Sequence, residues 1–127
     1  MRPLIAIAPV AAFAVGSCTQ PPAPPGAAFA QAITGRIAGP PRSCISQFSG
    51  DHAYVIDPQT IAYGYGRTIY VNHLGAPCPG VDQSNILITE SYGGMYCRGD
   101  RIRGTEPGAI IPGPVCILQD WVPYRTR

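Results

Sequence analysis

"AYVIDPQTIAYGYGRTIYVNHL", residues 53–74, decides the fold. Three short runs enriched in β-branched and aromatic residues, 53–57, 60–64 and 67–74, are divided by Asp57-Pro58-Gln59 and by Gly64-Tyr65-Gly66, both turn chemistry. In the last run the two-residue alternation puts Ile69, Val71 and His73 on one face and Thr68, Tyr70 and Asn72 on the other. Such a pattern predicts a compact antiparallel sheet, half apolar and half polar.

Working outward, "ILITESY" at 86–92 and "VCIL" at 115–118 read as further strands, bounded by "GAPCPG" and Gly93-Gly94. Fifteen Gly and fifteen Pro in 127 residues exclude long helices over most of the chain. The expected fold is all-β, a small disulfide-stapled antiparallel sandwich or barrel after a flexible N-terminal tether. The nine basic residues are all Arg, against seven Asp and Glu, and a net charge of +2 is too small for a nucleic-acid binder.

The N-terminus carries an address. "PLIAIAPVAAFAV" after Met1-Arg2 has the length of a signal-peptide apolar region and is short for a transmembrane span. It ends in "VGSC", which resembles a bacterial lipobox, so residues 1–17 read as a lipoprotein signal peptide and Cys18 as the lipidated first residue of the mature chain. Several acyl chains on one residue anchor far more stably than one. Thr19 follows the cysteine where Asp would signal inner-membrane retention, which favours the outer membrane, facing the periplasm. Two readings compete: cleavage after "AFA" at 28–30, before Gln31, releasing a soluble secreted protein, and an uncleaved anchor, for which the apolar run is short.

Residues 18–41 read as a Pro/Ala/Gly-rich tether, with a fully extended reach of roughly 75 Å in polyproline II geometry. The segment near Ile33 and Ile37 is its one candidate for docking on the domain. Residues 42–127 form the small β domain, near the size at which a core needs reinforcement. Cys44, Cys78, Cys97 and Cys116 supply it: an even count in an exported chain reads as two disulfides. The closest of the four lie 19 residues apart, unlike the short paired spacing of zinc ligands. Three pairings are open, and the reading leans to Cys78 with Cys97 and Cys44 with Cys116.

The succession "GPPRSCIS", "TIYVN", "CPG", "CRGDRIR" and "VCILQDWVPY" resembles an uncharacterised family of small exported bacterial envelope proteins, a domain of unknown function. The resemblance covers roughly residues 35–125. It implies an exported β-rich domain in which Cys44, Cys78, Cys97, Cys116, Gly99 and Asp100 are framework residues. It implies no activity.

No catalytic constellation is legible. His52 and His73 have no sequence partner that could form a relay, because strand neighbours point to opposite faces. Ser43, Ser46 and Ser49 lie in no Gly-x-Ser-x-Gly frame, and "GYGRTI" lacks the third glycine and following helix of a phosphate loop. No catalytic residue, metal or cofactor is therefore expected. Seven Tyr and one Trp are many for so small a domain, and core packing explains most of them. Trp121, Tyr124 and Arg98 are the candidates for an interaction surface, since Trp, Tyr and Arg are favoured interface anchors.

Arg98-Gly99-Asp100 is a tripeptide that adhesion receptors bind on protruding loops. Parity argues against that display: a bulge at Gly99 turns Cys97 and Ile102 inward with the arginines outward, whereas a two-residue hairpin sets Arg98 against Arg101. The bulge is the favoured reading. Together these observations point to a membrane-anchored envelope lipoprotein with a structural or protein-interaction domain. The alternative is a small periplasmic inhibitor or ligand-binding β domain, with an envelope protein or glycan as the possible partner.

Overall fold

The computed structural model describes Gly16, residues 21–47 and residues 51–127 of the chain. One short helix, α1 (Ala27–Ala32), precedes ten strands: β1 (Arg36–Ala38), β2 (Cys44–Ser46), β3 (Ala53–Asp57), β4 (Thr60–Tyr63), β5 (Thr68–His73), β6 (Ile86–Glu90), β7 (Met95–Cys97), β8 (Arg101–Thr105), β9 (Cys116–Ile117) and β10 (Trp121–Thr126). They form a five-stranded sheet in the order β1-β10-β5-β4-β3, a two-stranded pair β2-β7, and a three-stranded sheet β6-β8-β9. Every pairing is antiparallel, as the alternation of residues 53–74 requires.

The five-stranded sheet is covered on both faces, which is why all four residues of β4 are buried. One face carries Val55, Ile61, Tyr63 and Trp121 and packs on Ile45 from β2, Ile102 from β8, and Val81 and Leu118 from connecting segments. The other carries Ile56, Ala62, Ile69 and Val71, with Phe29 and Ala32 of α1 and Tyr124 packed against them. The faces read from residues 68–73 are those observed. The larger core, however, lies behind Tyr70 and Asn72, and the Ile69–Val71 face receives the helix.

That helix corrects the extent of the tether. "AAFAQA" consists mostly of the strongest helix former, but six residues are too few to be stable alone. Phe29 holds them in place, its ring edge-on to His73 at 4.9 Å and to Tyr124 at 5.9 Å. Arg36–Ala38 then pairs with β10, and Arg42 exchanges both backbone hydrogen bonds with Trp121 at 2.8 Å. Residues from Gly26 onward thus belong to the folded unit, which starts well before Arg42. Pro123 sits within β10 although it has no N–H to donate. Its carbonyl accepts from Gly39 N at 2.7 Å where β1 ends, so the missing donor falls at the end of a ladder.

Both side-chain amide atoms of buried Asn72 are hydrogen-bonded: Nδ2 donates to Gln119 O at 2.7 Å and Oδ1 accepts from Gln119 N at 2.9 Å. The amide mimics a strand partner and fixes the chain just before Trp121, offsetting the cost of burying a polar group.

The four cysteines form two disulfides, with a pairing different from the one favoured by sequence: Cys44 bonds Cys97, and Cys78 bonds Cys116. The cause is topological. β7 leaves the run between β6 and β8 to pair with β2, in a register that sets Cys97 directly opposite Cys44. β9 pairs with β8 and brings Cys116 over the 75–80 segment. At about 2 to 4 kcal/mol each, these bonds reinforce a core divided among three sheets.

Candidate interaction surface

Of the three residues singled out for a surface, the structure removes one. Trp121 is 1% exposed, at the centre of the larger core with Tyr96 beside it. The "VCILQDWVPY" segment alternates so that Trp121 and Pro123 point inward, a consequence of β10 lying between β1 and β5 rather than at an edge. Tyr124 is half-buried and closes the side of α1 against Phe29. Arg98 is exposed and pairs with Asp120 at 3.3 Å, a solvated pair that contributes little to stability. Cys18 lies outside the described residues.

The Arg-Gly-Asp segment is neither a bulge within one strand nor a hairpin. It is a tight turn joining β7 to β8, strands of different sheets, so the favoured bulge reading is corrected. Asp100 N donates to Cys97 O at 3.0 Å, Asp100 Oδ2 accepts from Cys97 N at 2.7 Å, and Gly99 takes φ +92°. Only glycine adopts that angle without strain. The backbone is tied on all sides: Arg98 N to Ser43 O, Gly99 N to Leu118 O, and Asp100 O from Leu118 N. With its carboxylate turned back onto its own turn, the tripeptide does not present the free acid that an adhesion receptor reads.

The histidines are kept apart. His52 lies edge-on to Tyr65, while His73 pairs in register with Thr60 at the far end of β4, its Nδ1 3.2 Å from Thr60 Oγ1. Ser43 and Ser46 are exposed, and Ser49 lies outside the described residues. Among the described residues no group of three His, Cys, Asp or Glu side chains is arranged to hold a metal ion.

Two surface features remain. A groove of about 540 Å³ opens beneath the start of α1, lined by Pro25, Phe29, Pro58, Thr60, His73 and Pro77 among others. Its lining combines this apolar surface with four polar residues, Asp57, Gln59, Thr60 and His73. The second feature is the outer face of the three-stranded sheet. Alternation along β6 and β9 leaves Ile86, Ile88 and Ile117 exposed, while Leu87 and Ile102 turn inward. Between the isoleucines runs a charged line in which Glu90 accepts from Arg103 at 2.7 Å and lies 3.9 Å from Arg101. Composition hid this face, because the isoleucines of a strand read as core until the sheet is known to have no second layer.

Comparison with protein-family models, with curated proteins and with solved structures finds no match to the chain.

Proposed function

We propose that the protein is a membrane-anchored lipoprotein of the bacterial cell envelope, held through Cys18 at the outer membrane with its β domain in the periplasm, where it acts as a structural or protein-interaction module. The "VGSC" sequence and the resemblance to small exported envelope proteins support the anchor. Two closed disulfides fit an oxidising, exported compartment. The observation that carries the interaction reading is the exposure of Ile86, Ile88 and Ile117 on one face of the three-stranded sheet, with Arg101 and Arg103 of the middle strand, paired to Glu90, between them. Exposed isoleucines interleaved with arginine make a face of the mixed apolar and Arg-rich kind that protein contacts favour.

The test is chemical crosslinking in intact envelopes followed by purification of the full chain. A specific protein should be captured with the parent and lost with Ile86→Ser/Ile88→Ser, at unchanged thermal stability. Capture that ignores the substitutions would remove the sheet face from the reading. Intact mass spectrometry of the same preparation checks the anchor: a mature chain starting at Gln31 would overturn it.

A second reading, a ligand-binding domain, is favoured by the groove beneath α1. It predicts that small apolar compounds raise the melting temperature of the parent but not of Phe29→Ala, and that an unanchored chain binds them equally well.

A further inference from the structure

The loop between β8 and β9 contains the two most exposed large aliphatic residues among those described: Ile110 at 96% and Ile111 at 83%. From Pro107 to Gln119 the chain carries no charge. Two adjacent isoleucines at the apex of an uncharged loop do nothing for the core and are costly to leave in water.

The loop is held rather than loose. Gly113 N donates to Gly104 O at 2.8 Å, Ala109 N donates to Glu106 O at 3.0 Å, and Cys116 is bonded to Cys78. Its base rests on residues 77–80: a Cβ on Gly113 would meet Pro79 O at 3.5 Å, and Gly80 packs against the Gly104 backbone. Pro77, on the other side of that short segment, lines the same groove as Pro25 and Gly26, where the chain enters α1. The isoleucine loop and the root of the N-terminal segment therefore flank residues 77–80 at one end of the molecule. Ile86 lies at that end too, paired with Thr105 where β8 runs into the loop.

The length of chain before that root sets what the end faces. From Cys18 to Pro25 the fully extended span is roughly 25 Å. A domain of this size is about 33 Å across. A leash shorter than the body it holds keeps its point of attachment toward the bilayer, so the end bearing Ile110 and Ile111 faces lipid.

We propose that Ile110 and Ile111 insert into the bilayer surface and dock the domain on the membrane that anchors it, an inference that rests on the lipoprotein reading. Two isoleucines hold a protein on a membrane poorly by themselves. Added to an anchor that already confines the domain there, they act as the second of two signals. The uncharged loop suits the acyl boundary, and exposed Glu106 at its base stays at headgroup level.

The experiment uses the full chain purified from native membranes and reconstituted into phosphatidylcholine vesicles, with and without brominated acyl chains. Buried Trp121 is the sole tryptophan, so Ile111→Trp adds one exposed reporter. The Ile111→Trp emission should shift to the blue and lose most of its intensity to the brominated lipid, while the parent emission changes little. Hydrogen exchange across 106–115 gives a second measure that needs no tryptophan: vesicles should slow exchange in the parent and not in Ile110→Asp/Ile111→Asp. Acylated Cys18 with an unquenched reporter and unprotected loop would overturn docking alone, and would leave the loop to a protein partner or to water. An unacylated chain in the mass spectrum would overturn the anchor and the docking together.

Discussion

The five-stranded sheet and the three-stranded sheet are made of similar residues and end in opposite situations. β4 and β5 supply Ile61, Ile69 and Val71, all buried, because α1 covers one face and the smaller sheets cover the other. β6 and β9 supply Ile86, Ile88 and Ile117, all exposed, because none of the described residues lies over the outer face of their sheet. The contrast shows that apolar content does not locate the core of a small β domain. The number of layers does, and the layers depend on where α1, β1 and β2 pack.

The contrast can be broken most severely at the joint between the two regions. Gly104 in β8 has no room for a side chain, since an added Cβ would collide with the Gly80 carbonyl while Gly104 itself is held opposite Leu87 in the β6-β8 ladder. Gly104→Ala should cost about 4 kcal/mol or more, read as loss of disulfide-bonded soluble protein. A well-folded Gly104→Ala would show that the three-stranded sheet is less tightly seated than described.

Next in size is Trp121→Ala, which empties the centre of the larger core and should cost about 3 to 5 kcal/mol in denaturant unfolding. Because the buried Trp121 Nε1 finds no hydrogen-bond partner among the described residues, Trp121→Phe should recover most of that loss. Equal damage from both would mean that the indole N–H matters after all.

A smaller, pH-dependent effect tests both faces of the five-stranded sheet. Burial raises the Tyr54 hydroxyl above the ordinary tyrosine value, with Tyr65 adding and Arg36 opposing, and burial with Tyr63 raises Tyr96. The fold thus favours the neutral phenols. This contribution is whole below the unfolded value of about 10 and is lost as pH climbs through the raised folded values. Tyrosinate absorbance of the folded protein should lag that of the denatured chain, and stability should fall above about pH 10. Superimposable titration curves would contradict the packing of Tyr54 and Tyr96.

The smallest effect belongs to the uncovered region. Ile88→Ser and Ile110→Ser should each change stability by no more than about 0.5 kcal/mol in urea, since neither residue supports the core. A loss comparable to that of a buried isoleucine would erase the distinction between the two sheets.

Much of this organisation is legible in the sequence. Residues 53–74 gave three strands nearly to the residue, because period-two alternation and glycine turns act over a few positions. Ile86–Glu90 was found the same way. β2, β7 and β8 were not, for they are short or interrupted by Arg and Gly, and only pairing makes them strands. The apolar loop at Ile110-Ile111 had a signal in its uncharged sequence, yet exposure separates it from a core segment, and exposure is not a local property.

By itself, then, the sequence determined an antiparallel β domain, its turns, and, with Cys18 set aside in the N-terminal segment, the four cysteines that two disulfides require. These follow from side-chain alternation, glycine and proline backbone preferences, and simple counting. Only the tertiary structure decided that Cys44 meets Cys97, that Trp121 is core and not surface, that α1 closes the Ile69–Val71 face, and that Arg98-Gly99-Asp100 is a tied corner between two sheets. Each depends on which distant strands pair, and pairing over 38 or 53 residues is set by the combined packing of the whole core rather than by any local stretch.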